Sequence, residues 1–201
     1  KNPVVTKTGT TEITSSTDAT EYTITYDAIV ENYTGTITVT IVDTLPYALD
    51  ESKTNELANG TYDAQNKTIT WVETIENEDA SKDIVIDITK SIKVFFKNVD
   101  ASSQNYTNKV EVTLADDIEE TEDTTKEATH ETEVNIQGNV TAYYYVKGTQ
   151  EELANSVSST GKVGTEYKTE AKDIEGYELV SQPTNATGNY KEEDIEVIYE
   201  Y

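Results

Sequence analysis

Thr36-Ile37-Thr38-Val39-Thr40-Ile41 alternates a polar and a β-branched apolar residue at every step. A period of two is the mark of a half-buried strand. Tyr22-Thr23-Ile24-Thr25-Tyr26 upstream and Asp83-Ile84-Val85-Ile86-Asp87-Ile88 downstream repeat it. Turn chemistry separates the runs, at Asn32-Tyr33-Thr34-Gly35, Asn59-Gly60 and Asp63-Ala64-Gln65-Asn66. Thr107 to Leu114 supplies a closing strand. Short strands spaced in this way predict an immunoglobulin-like β-sandwich over residues 1–114.

Beyond Leu114 the composition shifts. Residues 115–137 are acidic and Thr-rich, with Asp116, Asp117, Glu119, Glu120, Glu122 and Asp123 close together. Such a stretch reads as a linker or an edge segment. Calcium ligation is the sharper reading of these carboxylates, but the fixed glycine and spacing of an EF-hand loop are missing. From Gly138 a second β unit begins and runs to Tyr201. Val140 to Val146 is a strand, Thr149 to Asn155 reads as a short helix or turn, and Tyr167 to Ala171, Tyr177 to Gln182 and Ile195 to Tyr201 read as further strands. The whole chain is therefore expected to be mainly β.

Composition narrows the chemistry. The 201 residues include no Cys and no Met, and a single His, His130. Thiol catalysis, iron–sulfur clusters and thiolate zinc sites are excluded, and a Ser-His-Asp triad is disfavoured. No cofactor and no metal is expected. The net charge of −24 repels phosphate backbones and anionic lipid surfaces, which argues against nucleic acid and membrane partners. No apolar run approaches the length of a membrane span. A chain that starts at Lys1 without Met reads as a segment of a longer secreted protein.

Four blocks of the second half carry a resemblance. Gly138-Asn139-Val140-Thr141, Gly161-Lys162-Val163-Gly164-Thr165-Glu166-Tyr167, Ile174-Glu175-Gly176-Tyr177-Glu178-Leu179 and Val197-Ile198-Tyr199-Glu200-Tyr201 stand in the order of the MucBP (mucin-binding protein) repeat. Residues 138–201 resemble that repeat, which implies a small ubiquitin-like β-grasp fold and, for some members, binding to mucin glycans. The first half resembles the immunoglobulin-like domains of Gram-positive surface proteins, akin to the A-type domains of collagen adhesins and to pilins. Val5-Thr6-Lys7-Thr8-Gly9, Tyr22 to Ala28, Ile41-Val42-Asp43-Thr44-Leu45-Pro46, Thr68-Ile69-Thr70-Trp71 and Tyr106-Thr107-Asn108-Lys109-Val110 carry it.

That second resemblance implies an intramolecular isopeptide bond between a Lys on the first strand and an Asn on the last, promoted by a carboxylic acid on a central strand. Carried over by position, these are Lys7, Asn108 and Asp27. Burial would favour a neutral Lys7 amine and a protonated Asp27, and the amine would attack the Asn108 carboxamide with loss of ammonia. Alternation agrees for Asn108, since it shares a strand face with Val110 and Val112, away from Lys109. Taken singly, Lys7 reads as an ordinary edge-strand lysine, Asn108 as a strand-end residue and Asp27 as a residue beside a turn. Taken together, at both ends and the centre of one domain, they favour the crosslink.

Among the aromatic residues, Trp71 reads as a core anchor. Tyr143-Tyr144-Tyr145 would place one face of its strand in the core; an exposed ring there could stack on a sugar, but structural packing is the favoured reading. The two resemblances together imply a monomeric segment of a wall-anchored surface adhesin on a Gram-positive bacterium, extracellular, pairing a self-crosslinked stalk with a repeat that binds mucin, other host glycans or extracellular protein. A purely structural spacer is the alternative. An enzyme is not expected, since no cleft or motif supports turnover, and no ligand-binding residue can be assigned.

Overall fold

The computed structural model describes residues 3–116 and 124–201, which are organised as two compact units. Every regular element among the described residues is a strand.

The first unit comprises residues 1–99 and 105–133. It contains β1 (Val4–Gly9), β2 (Glu12–Ile13), β3 (Thr20–Val30), β4 (Gly35–Thr44), β5 (Thr61–Asp63), β6 (Thr68–Asn77), β7 (Ile84–Val94), β8 (Asn105–Asp116) and β9 (Thr124–Val134). One sheet has the order β1-β3-β7, the other β2-β9-β8-β4-β6-β5, with antiparallel pairing along β1-β3-β7 and from β9 through β8, β4 and β6 to β5. Alternation decides which side chains enter the core. On β3 the even positions Tyr22, Ile24, Tyr26 and Ala28 are buried; on β4 the odd positions Ile37, Val39 and Ile41 are buried. Trp71 on β6 closes the same core, and its Nε1 donates to the carbonyls of Leu57 and Ala58 at 3.1 and 3.0 Å.

The segment read as a linker over 115–137 is in large part β9, which pairs with β8 from Asn105↔Glu133 to Leu114↔Thr124. Thr132 and Val134 are buried there. The carboxylates weighed for calcium, Asp117, Glu119, Glu120, Glu122 and Asp123, lie outside the described residues.

The second unit holds residues 134–201 together with Asp100–Gln104. Its strands are β10 (Gln137–Tyr145), β11 (Glu152–Lys162), β12 (Glu166–Lys168), β13 (Thr187–Asn189) and β14 (Ile195–Glu200). β10 is central, antiparallel to β11 and parallel to β14. Parallel neighbours need a long crossover. Here it runs through β11, β12, β13 and irregular segments, without the helix that a ubiquitin-like fold would bring. Tyr167, Ala186 and Tyr190 from this crossover pack with Val140, Ala142, Tyr144, Val197 and Tyr199 of the sheet. Two expectations are corrected: Glu152–Asn155 belong to β11 and not to a helix, and Tyr177 to Gln182 forms no strand. That segment makes a backbone bond from Val180 N to Glu200 O, 2.9 Å, with Tyr177 and Val180 about half exposed.

Candidate functional site

Three strands of the first unit bring three polar side chains into its core. β1 supplies Lys7, β4 supplies Asp43 and β8 supplies Asn108; their relative exposures are 7%, 0% and 0%. Asp43 continues the inward phase of Ile37, Val39 and Ile41, so β4 delivers a carboxyl where an apolar side chain is expected. Asp43 stands opposite Val110 on β8, which puts Asn108 one diagonal step away on the same face. Lys7 reaches them from the other sheet, where it pairs with Ile24.

One carboxyl holds both partners. Lys7 Nζ donates to Asp43 Oδ1, and Asn108 Nδ2 donates to Asp43 Oδ2 at 2.9 Å. Nζ also lies over the Tyr22 ring, 4.6 Å from its centroid. Burial lowers the Lys7 pKa, with the Asp43 charge and hydrogen bond opposing it. Burial likewise raises the Asp43 pKa, against the effects of Lys7 and Asn108. Both directions favour a neutral amine beside a protonated acid.

Asp27 is not part of this cluster. It is exposed on the outer face of β3, in register with Val4 on one side and Asp87 on the other. Its odd position is out of phase with Tyr22, Ile24 and Tyr26, so the backbone points it away from Lys7. The acid between Lys7 and Asn108 is Asp43. Lys109 is half exposed, opposite in phase to Asn108, and pairs with Glu111 at 2.8 Å and Glu127 at 3.1 Å.

In the second unit, Tyr144 is buried and stacked on Tyr199, with ring centroids 5.3 Å apart. Tyr143 and Tyr145 project from the opposite face of β10 and stack on each other at 5.3 Å, inclined by 23°. Among the described residues no group of three or more His, Cys, Asp or Glu side chains is placed to hold a metal.

Comparison with known proteins adds to this geometry. The MucBP domain family matches residues 139–201. Internalin J of Listeria monocytogenes serotype 4b is 37% identical over 62 residues, which is 31% of this chain and 7% of that protein. Internalin J of Listeria monocytogenes serovar 1/2a is 44% identical over 57 residues, 28% of this chain and again 7% of the relative. The chain thus spans a small part of these curated relatives. The crystal structure of the major pilin subunit of Bacillus cereus matches over 100% of this chain and 70% of its own, with a TM-score of 0.50 and 11% identity, a likeness of fold. Residues 139–201 thus match the MucBP domain family, in one chain with an all-β sandwich unit, and the chain's fold is like that of the pilin subunit.

Proposed function

We propose that the chain is a segment of a Gram-positive cell-surface adhesin, in which the first unit is a self-crosslinked stalk and the MucBP domain a module for mucin or other host glycans. The observation that carries this reading is the buried cluster of Lys7, Asp43 and Asn108. A lysine, an acid and an asparagine are costly to bury, and no sheet needs them for packing. They are, however, the groups required to make an amide bond between two strands. The pilin-type fold and the MucBP match support the setting.

The chemistry follows from proximity and burial. The Lys7 proton passes to Asp43, leaving an amine with a free lone pair. Nζ attacks Asn108 Cγ, which the shared carboxyl holds in place. Asp43 then relays a proton from Nζ to Nδ2, the Cγ–Nδ2 bond breaks, and ammonia departs. A secondary amide remains, and Asp43 ends protonated, as it was when the attack began. The reaction happens once per chain and involves no turnover.

Peptide mapping tests the site assignment. A tryptic digest should contain a branched peptide joining Lys7 to Asn108 in the wild type and in Asp27→Ala, and should lack it in Asp43→Ala. A branched peptide that disappears in Asp27→Ala and survives in Asp43→Ala would overturn the role given to Asp43. For the second unit, a mucin glycan array probed with the chain is expected to show binding. No binding to any glycan would leave the spacer reading in its place.

A further inference from the structure

Among the described residues, three buried side-chain polar atoms make no hydrogen bond: the hydroxyls of Tyr22 and Tyr26, and Asn108 Oδ1. Each such atom in a native core calls for an explanation. Two of the three belong to one neighbourhood. The Tyr22 ring lies under Lys7 Nζ, and burial pushes its hydroxyl pKa up, with Tyr106 and Asp43 adding to the rise and the Asn108 and Thr132 side chains beside the hydroxyl opposing it. Tyr26, two steps of the alternation further along β3, is perturbed by burial alone.

The Tyr22 ring is also held in place. His130 meets it edge-on, with centroids 5.9 Å apart at 79°, and His130 Nε2 donates to Thr10 O at 2.8 Å. Gly9 leaves room for it, since a Cβ at that position would lie 2.9 Å from Tyr22 Cδ1 and 2.3 Å from Glu21 O. A ring so confined keeps its hydroxyl in the neighbourhood of the Asn108 and Thr132 side chains.

We infer that Tyr22 is a catalytic residue of the crosslinking step, its hydroxyl donating to Asn108 Oδ1 as negative charge gathers there. The inference rests on the reading that Lys7 and Asn108 join. When the Lys7 lone pair forms the new Nζ–Cγ bond, the C=O π pair moves onto Oδ1. Asp43 is occupied with Nζ and Nδ2, so Oδ1 needs another donor, and Tyr22 supplies it without giving up its proton. The π pair returns as the Cγ–Nδ2 bond breaks, and ammonia leaves with the proton relayed by Asp43. A donor fixed in advance and kept dry is the arrangement that stabilises such an oxyanion most.

The test follows freshly translated chains in a cell-free system, with intact mass read at intervals as loss of one ammonia. Tyr22→Phe keeps the ring beneath Lys7 and removes only the hydroxyl, and it should link about 100-fold more slowly or worse. Tyr26→Phe removes the other unpartnered hydroxyl and should link at the wild-type rate. If wild type links and Tyr22→Phe links within about twofold of it, the role of Tyr22 is overturned while the crosslink stands. If wild type never loses ammonia, the crosslink reading fails and this inference with it. Should Tyr22→Phe not fold, 3-fluorotyrosine at position 22, a stronger donor, should speed linking, and an unchanged or slower rate would overturn the proposal.

Discussion

Removing the Lys7 amine while keeping Asp43 isolates what the buried acid costs the fold. In Lys7→Met no bond can form, and Asp43 loses the cation that opposed its upward shift. An acid whose folded pKa lies above its unfolded value contributes stability that is present below the unfolded carboxylate range and is lost as pH rises through the folded value. Lys7→Met should therefore melt at lower temperature near pH 8 than near pH 4, by more than Lys7→Met/Asp43→Asn does, with a difference of about 3–5 kcal/mol for the unpaired charge. Equal pH dependence in the two variants would contradict a buried, perturbed Asp43. The same alternation that makes Asp43 costly was legible in the chain. Ile37, Val39, Ile41 and Asp43 share one phase, whereas Asp27 is out of phase with Tyr22, Ile24 and Tyr26. Asp27 holds the position that the family resemblance implies, whereas Asp43 holds the strand's inward phase. Tyr22 was harder to read, because a tyrosine on a core face is ordinary until its neighbours are known.

Strands that carry their own apolar phase were readable, and strands that borrow their stability were not. β9 reads Thr-Thr-Lys-Glu-Ala-Thr-His-Glu-Thr-Glu-Val, with almost no apolar alternation. Its place depends on pairing with β8, a long-range event that local composition does not reveal. The reverse holds for Tyr177 to Gln182, where a strand-like composition sits between Gly176 and Pro183 and finds a single backbone partner on β14. In the second unit, close approach is enforced by small residues. A Cβ on Gly161 of β11 would lie 2.3 Å from the Tyr190 ring, and Tyr190 is pinned by its hydroxyl bond to Ser159 at 2.9 Å. Gly161→Ala should destabilise this unit by about 1–3 kcal/mol, through a forced shift of ring or strand. Urea unfolding followed by tyrosine fluorescence measures it, and an unchanged midpoint would mean that the ring moves freely.

For the molecule as a whole, the proposed amide between Lys7 and Asn108 would close a loop of about 100 residues, worth roughly 4–5 kcal/mol if disulfide loop entropy is the guide. A chain without Cys would gain by this route a staple that no reductant opens. Force applied along the chain would pass through the bond and leave β3 to β7 unloaded. In single-molecule pulling, wild type should therefore extend less than Lys7→Ala by about 330–360 Å, the contour length of the enclosed loop. Equal extensions would show that the strands between Lys7 and Asn108 do bear load. The most direct test is the intact mass of the purified, denatured chain beside Lys7→Ala. The account predicts that wild type is lighter than its sequence by one ammonia and that the variant is not. A wild-type mass equal to that of the unmodified sequence, in protein shown to be folded beforehand, would contradict it.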